Sequence, residues 1–125
     1  MKIIETKYSK NNPGHYSPGF ISNDNLYISG QLSIDPATGI KPPDFRSEVL
    51  QALDNIEAVL KAAELTRKHV VMCRVYISDV ELWPEFNEIY AGWFGSHKPA
   101  RAIVPVAALH YGCQVEIEAI AEFCD

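Results

Sequence analysis

The sequence predicts an α+β fold, a two-layer sandwich in which two helices lie on one face of a mixed β-sheet. Three observations predict it. Two stretches repeat apolar residues at helical spacing, segments rich in β-forming residues lie before, between and after them, and the final segment alternates apolar and polar residues as a half-buried strand does. A chain of 125 residues has the length of one domain, over residues 1–125.

Composition narrows the class of partner. The formal net charge is -5 and no basic run occurs, which argues against nucleic acid or an anionic membrane as the partner, because both bind clustered Lys and Arg. We therefore expect a small-molecule partner. The N-terminus lacks the apolar core of a signal peptide, and no window approaches the roughly 18 apolar residues of a membrane span. These features predict a soluble, cytoplasmic protein.

Cysteine and histidine usage predicts no disulfide framework and no metal site. The cysteines Cys73, Cys113 and Cys124 have no C-x-x-C spacing, and their odd number does not suggest a disulfide framework. Cys73 lies in an apolar run and is predicted to be a small buried side chain. The histidines, at 15, 69, 97 and 110, have no ligand spacing and are interpreted as surface or loop residues.

The first third of the chain predicts strands and turns. Residues 1–8 can form a first strand, and the composition of Asn11–Gly14 is typical of a turn. A second strand is predicted over about Asn25–Ser29, closing at Gly30. The sequence DPATG at 35–39 predicts another turn.

Two amphipathic helices are predicted. The first begins at the N-cap Asp44 and runs through Ala63, with apolar residues at 49, 52, 53, 56, 59, 60 and 63. The second starts near Pro84 and ends at Gly95, with Phe86, Ile89, Tyr90, Trp93 and Phe94 at helical spacing. The aromatic side chains of this second helix are interpreted as core.

The strand at 69–77 is apolar on both faces. Two helices can cover only one face of a sheet of this size, so we expect another subunit to cover the second. The sequence thus predicts a homo-oligomer closed by rotational symmetry.

The last third predicts a terminal β-hairpin, with RAIVPVAAL (101–109) and QVEIEAIAEF (114–123) joined by a turn at 109–112. This register pairs 105 with 116, 103 with 118 and 101 with 120. One face of the hairpin would then carry Arg101, Ile103, Glu116 and Glu118. A slip by an odd number of residues would put Arg101 and the glutamates on opposite faces.

Arg101 and Glu116 suggest a hydrolytic site for small acids. A guanidinium is always charged, and its planar fork fits a carboxylate at two points. A partly desolvated glutamate on the same face can orient or deprotonate water, because burial raises a carboxyl pKa. The alternative is a structural ion pair at a sheet edge or subunit seam, and Glu118 is better interpreted as a solvated or seam-paired charge.

Four stretches also match a known family. They are GHYSPG (14–19), YISGQLSIDPATG (27–39), FNEIYAGWF (86–94), and KPARAIVPVAAL (98–109) followed by VEIEAIA (115–121). In this order and spacing they resemble the RidA family of reactive intermediate deaminases, also called the YjgF type, over nearly the whole chain.

The resemblance implies a chorismate-mutase-like fold and a homotrimer whose sheets line a central β-barrel, with clefts at the subunit interfaces. It also implies hydrolysis of enamines and imines such as 2-aminoacrylate to 2-oxo acids and ammonia, without a cofactor. Arg101 matches the arginine that holds the substrate carboxylate, and Glu116 matches the glutamate proposed to activate or position water.

By the same resemblance, further residues would line the cleft, partly from the neighbouring subunit: Tyr16, Ser29, Gly30 and Asn87. Each has a plainer structural explanation. Ser29 and Gly30 could simply end a strand, Asn87 could make a local cap, and Tyr16 could pack in its loop.

The chain departs from the family pattern at several positions. His15 replaces proline, Gly19 replaces alanine, Glu64 replaces the glycine that follows the first helix, and LHYG (109–112) replaces a Leu-Pro turn. Ile103 occupies the position where many deaminases carry cysteine. Its bulkier, apolar side chain predicts a preference for small aliphatic imino acids over charged ones.

Two other functions remain open at this stage. The same cleft could serve a non-catalytic sensor or chaperone-like module for small carboxylates, since a fold and an anion anchor do not establish turnover. An endoribonuclease or translation inhibitor, a label carried by some relatives, fits the acidic charge balance least.

Overall fold

The computed structural model describes residues 1–123, so Cys124 lies outside the described residues. Its elements in chain order are β1 (Lys2–Ile4), β2 (Gly19–Ser22), β3 (Asn25–Leu32), α1 (Phe45–Ala62), β4 (Val70–Ile77), α2 (Trp83–Phe94), β5 (Ala100–Pro105) and β6 (Val115–Glu122). The strands form one sheet in the order β1-β2-β3-β6-β4-β5. The predicted α+β class, with two helices on a mixed sheet, is confirmed.

Helix α1 begins at its predicted N-cap and ends one residue before the predicted Ala63. The Asp44 carboxylate accepts a hydrogen bond from the Ser47 backbone N–H at 2.8 Å, which satisfies one of the free donors at the N-terminus. The helix ends at Ala62, and the Leu65 N–H donates to the Leu60 carbonyl at 2.8 Å across a left-handed residue, Glu64 (φ 61°).

The predicted terminal hairpin is wrong. β5 pairs in parallel with β4, and β6 lies on the other side of β4, antiparallel to both β4 and β3. The reason is the crossover through α2, which carries the chain back so that β5 runs in the same direction as β4. The nine residues 106–114 then pass beyond β4 to reach β6. A connection of that length exceeds a hairpin loop.

The N-terminal strands also differ from their predicted bounds. The first strand is short, Lys2–Ile4, and β3 continues past Ser29 to Leu32. β2, which the sequence analysis did not predict, joins them. Its first residue, Gly19, lies beneath α1, where an added Cβ would stand 2.8 Å from Val59 Cγ1. This contact explains why glycine fits here better than alanine.

The helices and the core occupy one face of the sheet. Along β6 the residues facing them are buried: Val115, Ile117, Ala119 and Ala121. No element of residues 1–123 covers the other face. A row of apolar side chains crosses this open face, each in register with the next: Ile3, Phe20, Tyr27, Ile120 and Met72. Phe20 and Tyr27 are 40% and 44% exposed. Within residues 1–123, neither helix combines the length and the apolar character that crossing a membrane would require.

Candidate active site

Arg101 projects from the edge strand β5 on the helix-covered side of the sheet. Its register partner on β4 is Cys73, which in turn pairs with Ala119 on β6. Both partners are buried in the core, and residues in register across neighbouring strands share a face. Arg101 therefore extends this core row to the sheet edge, beneath α2, where it is partly exposed.

Three residues of α2 hold the guanidinium. Arg101 Nη1 donates to Asn87 Oδ1 at 3.0 Å, and its Cζ lies 5.0 Å from the centre of the Tyr90 ring and 5.9 Å from that of Trp83. Trp83, Asn87 and Tyr90 follow each other at spacings of four and three, so they share one helix face. Within residues 1–123 Arg101 forms no ion pair with a carboxylate, which leaves its charge and most of its five N–H donors available to an anion.

The groups beneath Arg101 stay neutral. Burial raises the pKa of the Cys73 thiol and the pKa of the Tyr90 hydroxyl, and the two groups are neighbours. The Tyr90 hydroxyl is buried without a hydrogen-bond partner in good geometry among the described residues. No anion therefore forms here to neutralise the guanidinium.

Glu116 lies at the other end of the candidate site, on β6, facing away from the helices. Its register partners are Leu32 on β3 and Tyr76 on β4. Partial burial raises the pKa of the Glu116 carboxyl; His110 opposes this shift and Glu118 adds to it. Among residues 1–123 its carboxylate has no hydrogen-bond or ion-pair partner. A carboxylate whose pKa is raised is a stronger base toward water.

Gly30 allows this carboxylate to approach the backbone of β3. Any Cβ at position 30 would overlap the Glu116 carboxylate, so only glycine fits there without displacing it. The pairing of β3 with β6 is irregular between Ile28 and Gln31, and Gly30 lies within this bulge.

Ser29 ties a loop to the same bulge. Its hydroxyl donates to the Ser17 carbonyl at 2.6 Å, and its backbone N–H donates to the Pro18 carbonyl at 2.9 Å. The loop that is anchored here carries Tyr16, which is 54% exposed. Because its proton is already donated to the loop, the Ser29 hydroxyl can only accept a hydrogen bond from a ligand.

The predicted residues therefore fall into two groups. We call Arg101, Asn87 and Ile103 the arginine half-site, and Glu116, Gly30, Ser29 and Tyr16 the glutamate half-site. β4 separates the strands that carry Arg101 and Glu116, and the two side chains project from opposite sheet faces. The prediction that they share one face is wrong. Within one chain they cannot contact the same small molecule.

The other two residues of the predicted shared face are also separated. Ile103 pairs with Val75 and packs, half-buried, against the core on the helix side. Glu118 lies on the open face, where it accepts a hydrogen bond from the Tyr76 hydroxyl at 2.5 Å and lies 3.9 Å from Arg74. Glu118 is thus paired within its own chain, whereas its interpretation from the sequence was a solvated or seam-paired charge.

Sequence reasoning missed the aromatic residues that contact Arg101. Tyr90 was interpreted only as core, which its burial supports, but its ring also faces the guanidinium. Trp83 is 42% exposed and lies outside the core. The spacing of Trp83 and Tyr90 about Asn87 could have revealed them, since all three lie on the helix face that carries a predicted site residue.

Fold and site together define a small α+β protein in which two helices back one mixed sheet and candidate ligand-binding side chains project from both sheet faces. The family model described as Endoribonuclease L-PSP matches residues 9–123, and the chain belongs to this family. The predicted resemblance to the RidA and YjgF proteins is confirmed.

Individual relatives match over almost the whole chain. The 2-iminobutanoate/2-iminopropanoate deaminase of Bos taurus is 43% identical, covering 96% of this chain and 88% of its own. A RutC family protein of Aquifex aeolicus is 39% identical, covering 97% and 98%. The structure of E. coli TdcF with bound serine has a TM-score of 0.91 at 34% identity, and the match covers 98% of both chains.

Proposed function

We propose that this protein hydrolyses reactive imines and enamines of 2-oxo acids, releasing the 2-oxo acid and ammonia. The name of the bovine relative supports the reaction class. The observation that carries the proposal is the pair of complementary half-sites: an arginine without an acidic partner and a partly buried glutamate without any partner among the described residues.

Arg101 serves as the carboxylate anchor in this proposal. The imine carbon is electrophilic, but the neighbouring carboxylate repels an approaching nucleophile. Pairing that carboxylate with the guanidinium orients the substrate and reduces the repulsion. Asn87 holds one N–H and two aromatic rings lie beside the guanidinium, so its remaining donors are preoriented.

Glu116 serves as the base. An enamine first gains a proton at carbon and becomes an iminium ion. Water then adds its oxygen to the iminium carbon while Glu116 accepts a proton from that water. The resulting carbinolamine takes up a proton on nitrogen, the C–N bond breaks and ammonia leaves, and the carbonyl forms as the deprotonated Glu116 accepts the proton of the carbinolamine hydroxyl. The proton that Glu116 gained is available to the departing nitrogen.

A complete site requires more than one copy of the chain. Since Arg101 and Glu116 face opposite ways, we propose that the β5 edge of one copy meets the open sheet face of the next. A contact between two different surfaces closes into a ring when the rotation allows it. The apolar row on the open face supports such a contact, and the family resemblance implies a homotrimer whose sheets line a central barrel.

The direct test generates 2-aminoacrylate with a dehydratase and follows pyruvate formation. We expect the wild type to accelerate pyruvate appearance, and Arg101→Ala and Glu116→Gln to lose most of that acceleration, about a hundredfold or more. Arg101→Lys keeps the charge but not the planar fork, so it should retain only part of the activity. If wild-type protein leaves the spontaneous rate of pyruvate formation unchanged, the proposed enzymatic activity is refuted.

The second candidate is a sensor for small carboxylates. The TdcF structure with bound serine, a molecule that carries a carboxylate, supports binding of such ligands in this family. Calorimetry with a 2-oxo acid separates the two functions. A sensor binds the acid through Arg101 and shows no turnover, whereas the enzyme does both.

Ile103 sets the expected substrate preference. It stands two residues after Arg101 on the same strand face, half-buried against the core, so it presents an apolar surface beside the carboxylate anchor. We expect the kcat/KM for the imines of small aliphatic amino acids to exceed that for acidic ones by at least roughly tenfold. Rates across a panel of enzymatically generated imines measure this, with Ile103→Cys as the matched variant. A panel in which acidic imines rank first would contradict the role of Ile103.

A further inference from the structure

Glu48 is a buried charge. Of the charged side chains in residues 1–123, only this one is fully enclosed, with 0% of its side chain exposed. It lies on the core-facing side of α1, where the helical pattern calls for an apolar residue. Burying a carboxylate costs free energy unless donors surround it, so its surroundings indicate what it does.

The Glu48 carboxylate receives donors on both oxygens. Oε1 accepts from the Ser33 hydroxyl and the Gln114 backbone N–H, each at 2.8 Å. Oε2 accepts from Gln114 Nε2 at 2.9 Å and from Lys41 Nζ at 3.3 Å. Burial opposes ionisation, but these hydrogen bonds and the lysine charge outweigh it and hold the pKa of Glu48 below its ordinary value. The group is therefore ionised at neutral pH.

These donors belong to two particular places in the fold. Ser33 follows the last residue of β3, and Gln114 precedes the first residue of β6. The Gln114 peptide is also held from its other side, because its carbonyl accepts from the Ser78 N–H at 3.1 Å. Glu48 thus joins the end of β3 to the start of β6. At this end of the two strands, Leu32 and Glu116 are register partners.

A second side chain of α1 reinforces the same junction. Asn55 lies two helical turns after Glu48, on the same side of the helix. Its Nδ2 donates to the Leu32 carbonyl at 3.0 Å and to the Ile34 carbonyl at 2.9 Å. α1 therefore fixes the backbone immediately beyond the bulge that contains Gly30.

The position of Glu116 is sensitive to this junction. Its carboxylate lies against Gly30 with no room for even a methyl group between them. A slight separation of β3 from β6 would open this contact to water. The chemistry of Glu116 depends on the place of its carboxylate and on its partial desolvation.

We propose that Glu48 is a positioning residue for Glu116. By clamping Ser33 and Gln114, it fixes the spacing of β3 and β6 and keeps the Glu116 carboxylate packed against Gly30. This inference rests on the proposed role of Glu116 as the base. A purely structural Glu48 would affect only the amount of folded protein, whereas a positioning residue changes the chemistry of the folded protein.

The test compares Glu48→Gln and Ser33→Ala with the control Ile56→Val, a buried change elsewhere on α1. In Glu48→Gln an amide N–H₂ replaces one carboxylate oxygen, so a donor faces the surrounding donors. Ser33→Ala removes one donor and leaves the Glu48 charge in place. The measured quantities are kcat per folded protein, the midpoint of the acid limb of the kcat–pH profile, and the Glu116 pKa by ¹³C NMR. The other titratable groups near Glu116 are unchanged in all three variants: His110, Glu118 and Tyr76.

We expect both clamp variants to lose roughly tenfold or more in kcat, because a displaced catalytic group is costly. In both, the acid-limb midpoint and the Glu116 pKa should fall, since added water favours the ionised carboxylate. Ile56→Val should leave both values unchanged. If Glu48→Gln and Ser33→Ala keep the wild-type kcat and midpoint, the inference is overturned. Wild-type protein without turnover would instead refute the proposed function, and the NMR titration would still test the clamp.

Discussion

At the scale of single residues, the surroundings of Arg101 explain how a charge at the sheet edge can stay both fixed and available. Aromatic rings attract a guanidinium through their π systems and leave its N–H edge free. Asn87 accepts a hydrogen bond from one N–H of the guanidinium, and because the amide is neutral it does not cancel the positive charge. A carboxylate in place of Asn87 would hold the arginine more tightly and would compete with the substrate.

Tyr90 provides a prediction at this scale. Tyr90→Phe removes a buried hydroxyl that lacks a good partner and keeps the ring, so the free energy of unfolding should stay equal or rise by up to about 1 kcal/mol. Tyr90→Leu removes the ring, and the affinity for a 2-oxo acid should fall about threefold to tenfold. Calorimetry and denaturant unfolding measure the two effects. Equal affinities in the Phe and Leu variants would show that the ring does not act on Arg101.

At the scale of elements, the two helices do different work for the site. α2 carries the side chains that hold Arg101 and also returns the chain for the parallel β4–β5 pairing. α1 supplies more of the buried core than α2 does, and it fixes the junction of β3 with β6 through Glu48 and Asn55.

The end of α1 gives a prediction about stability. Glu64 adopts a left-handed conformation (φ 61°), in which a side chain is strained and glycine is not. We expect Glu64→Gly to raise the free energy of unfolding by about 1 kcal/mol, measured by denaturant titration. Glu64→Ala keeps the Cβ and serves as the control. If both variants change stability equally, the gain arises from the lost charge and not from the backbone.

At the scale of the whole molecule, the two half-sites make assembly part of the proposed chemistry. Each copy would offer its arginine at one surface and its glutamate at another, so every contact between copies would create one site. This arrangement can be tested by complementation between two inactive variants.

Mixed oligomers of Arg101→Ala and Glu116→Gln should regain activity, although neither variant is active alone. A site works only where an intact arginine meets an intact glutamate from the next copy, so random mixing restores roughly a quarter of the wild-type rate. Each variant unfolded and refolded by itself serves as the control. A mixture that stays inactive while subunits exchange would show that each chain carries a complete site.

The elements could be predicted from the sequence better than their arrangement. The apolar period of 49–63 and the N-cap Asp44 located α1, and alternation at 115–121 located β6, because both patterns follow from local geometry. The strands that pair with β6 could not be predicted from such local patterns. It depends on how α2 packs and on where the loop 106–114 leads, which are properties of the folded chain.

The same limit applies to the site. The chemistry of Arg101 and Glu116 could be inferred from their side-chain types. The sheet face on which each lies could not, because it was inferred from a β5–β6 hairpin register, and β5 pairs with β4 instead. The helical period places Glu48 on the apolar side of α1, but it does not reveal the donors that surround its carboxylate. Its contacts with Ser33 and Gln114 join segments distant in sequence.

The place of β6 between β3 and β4 has a consequence for biosynthesis. Both neighbours leave the ribosome before β6 does, and each then exposes a bare hydrogen-bonding edge in the middle of the future sheet. Until β6 inserts, the nascent chain can pair wrongly with other chains or with itself. We therefore expect chaperone demand during translation to be greatest between the emergence of β4 and that of β6.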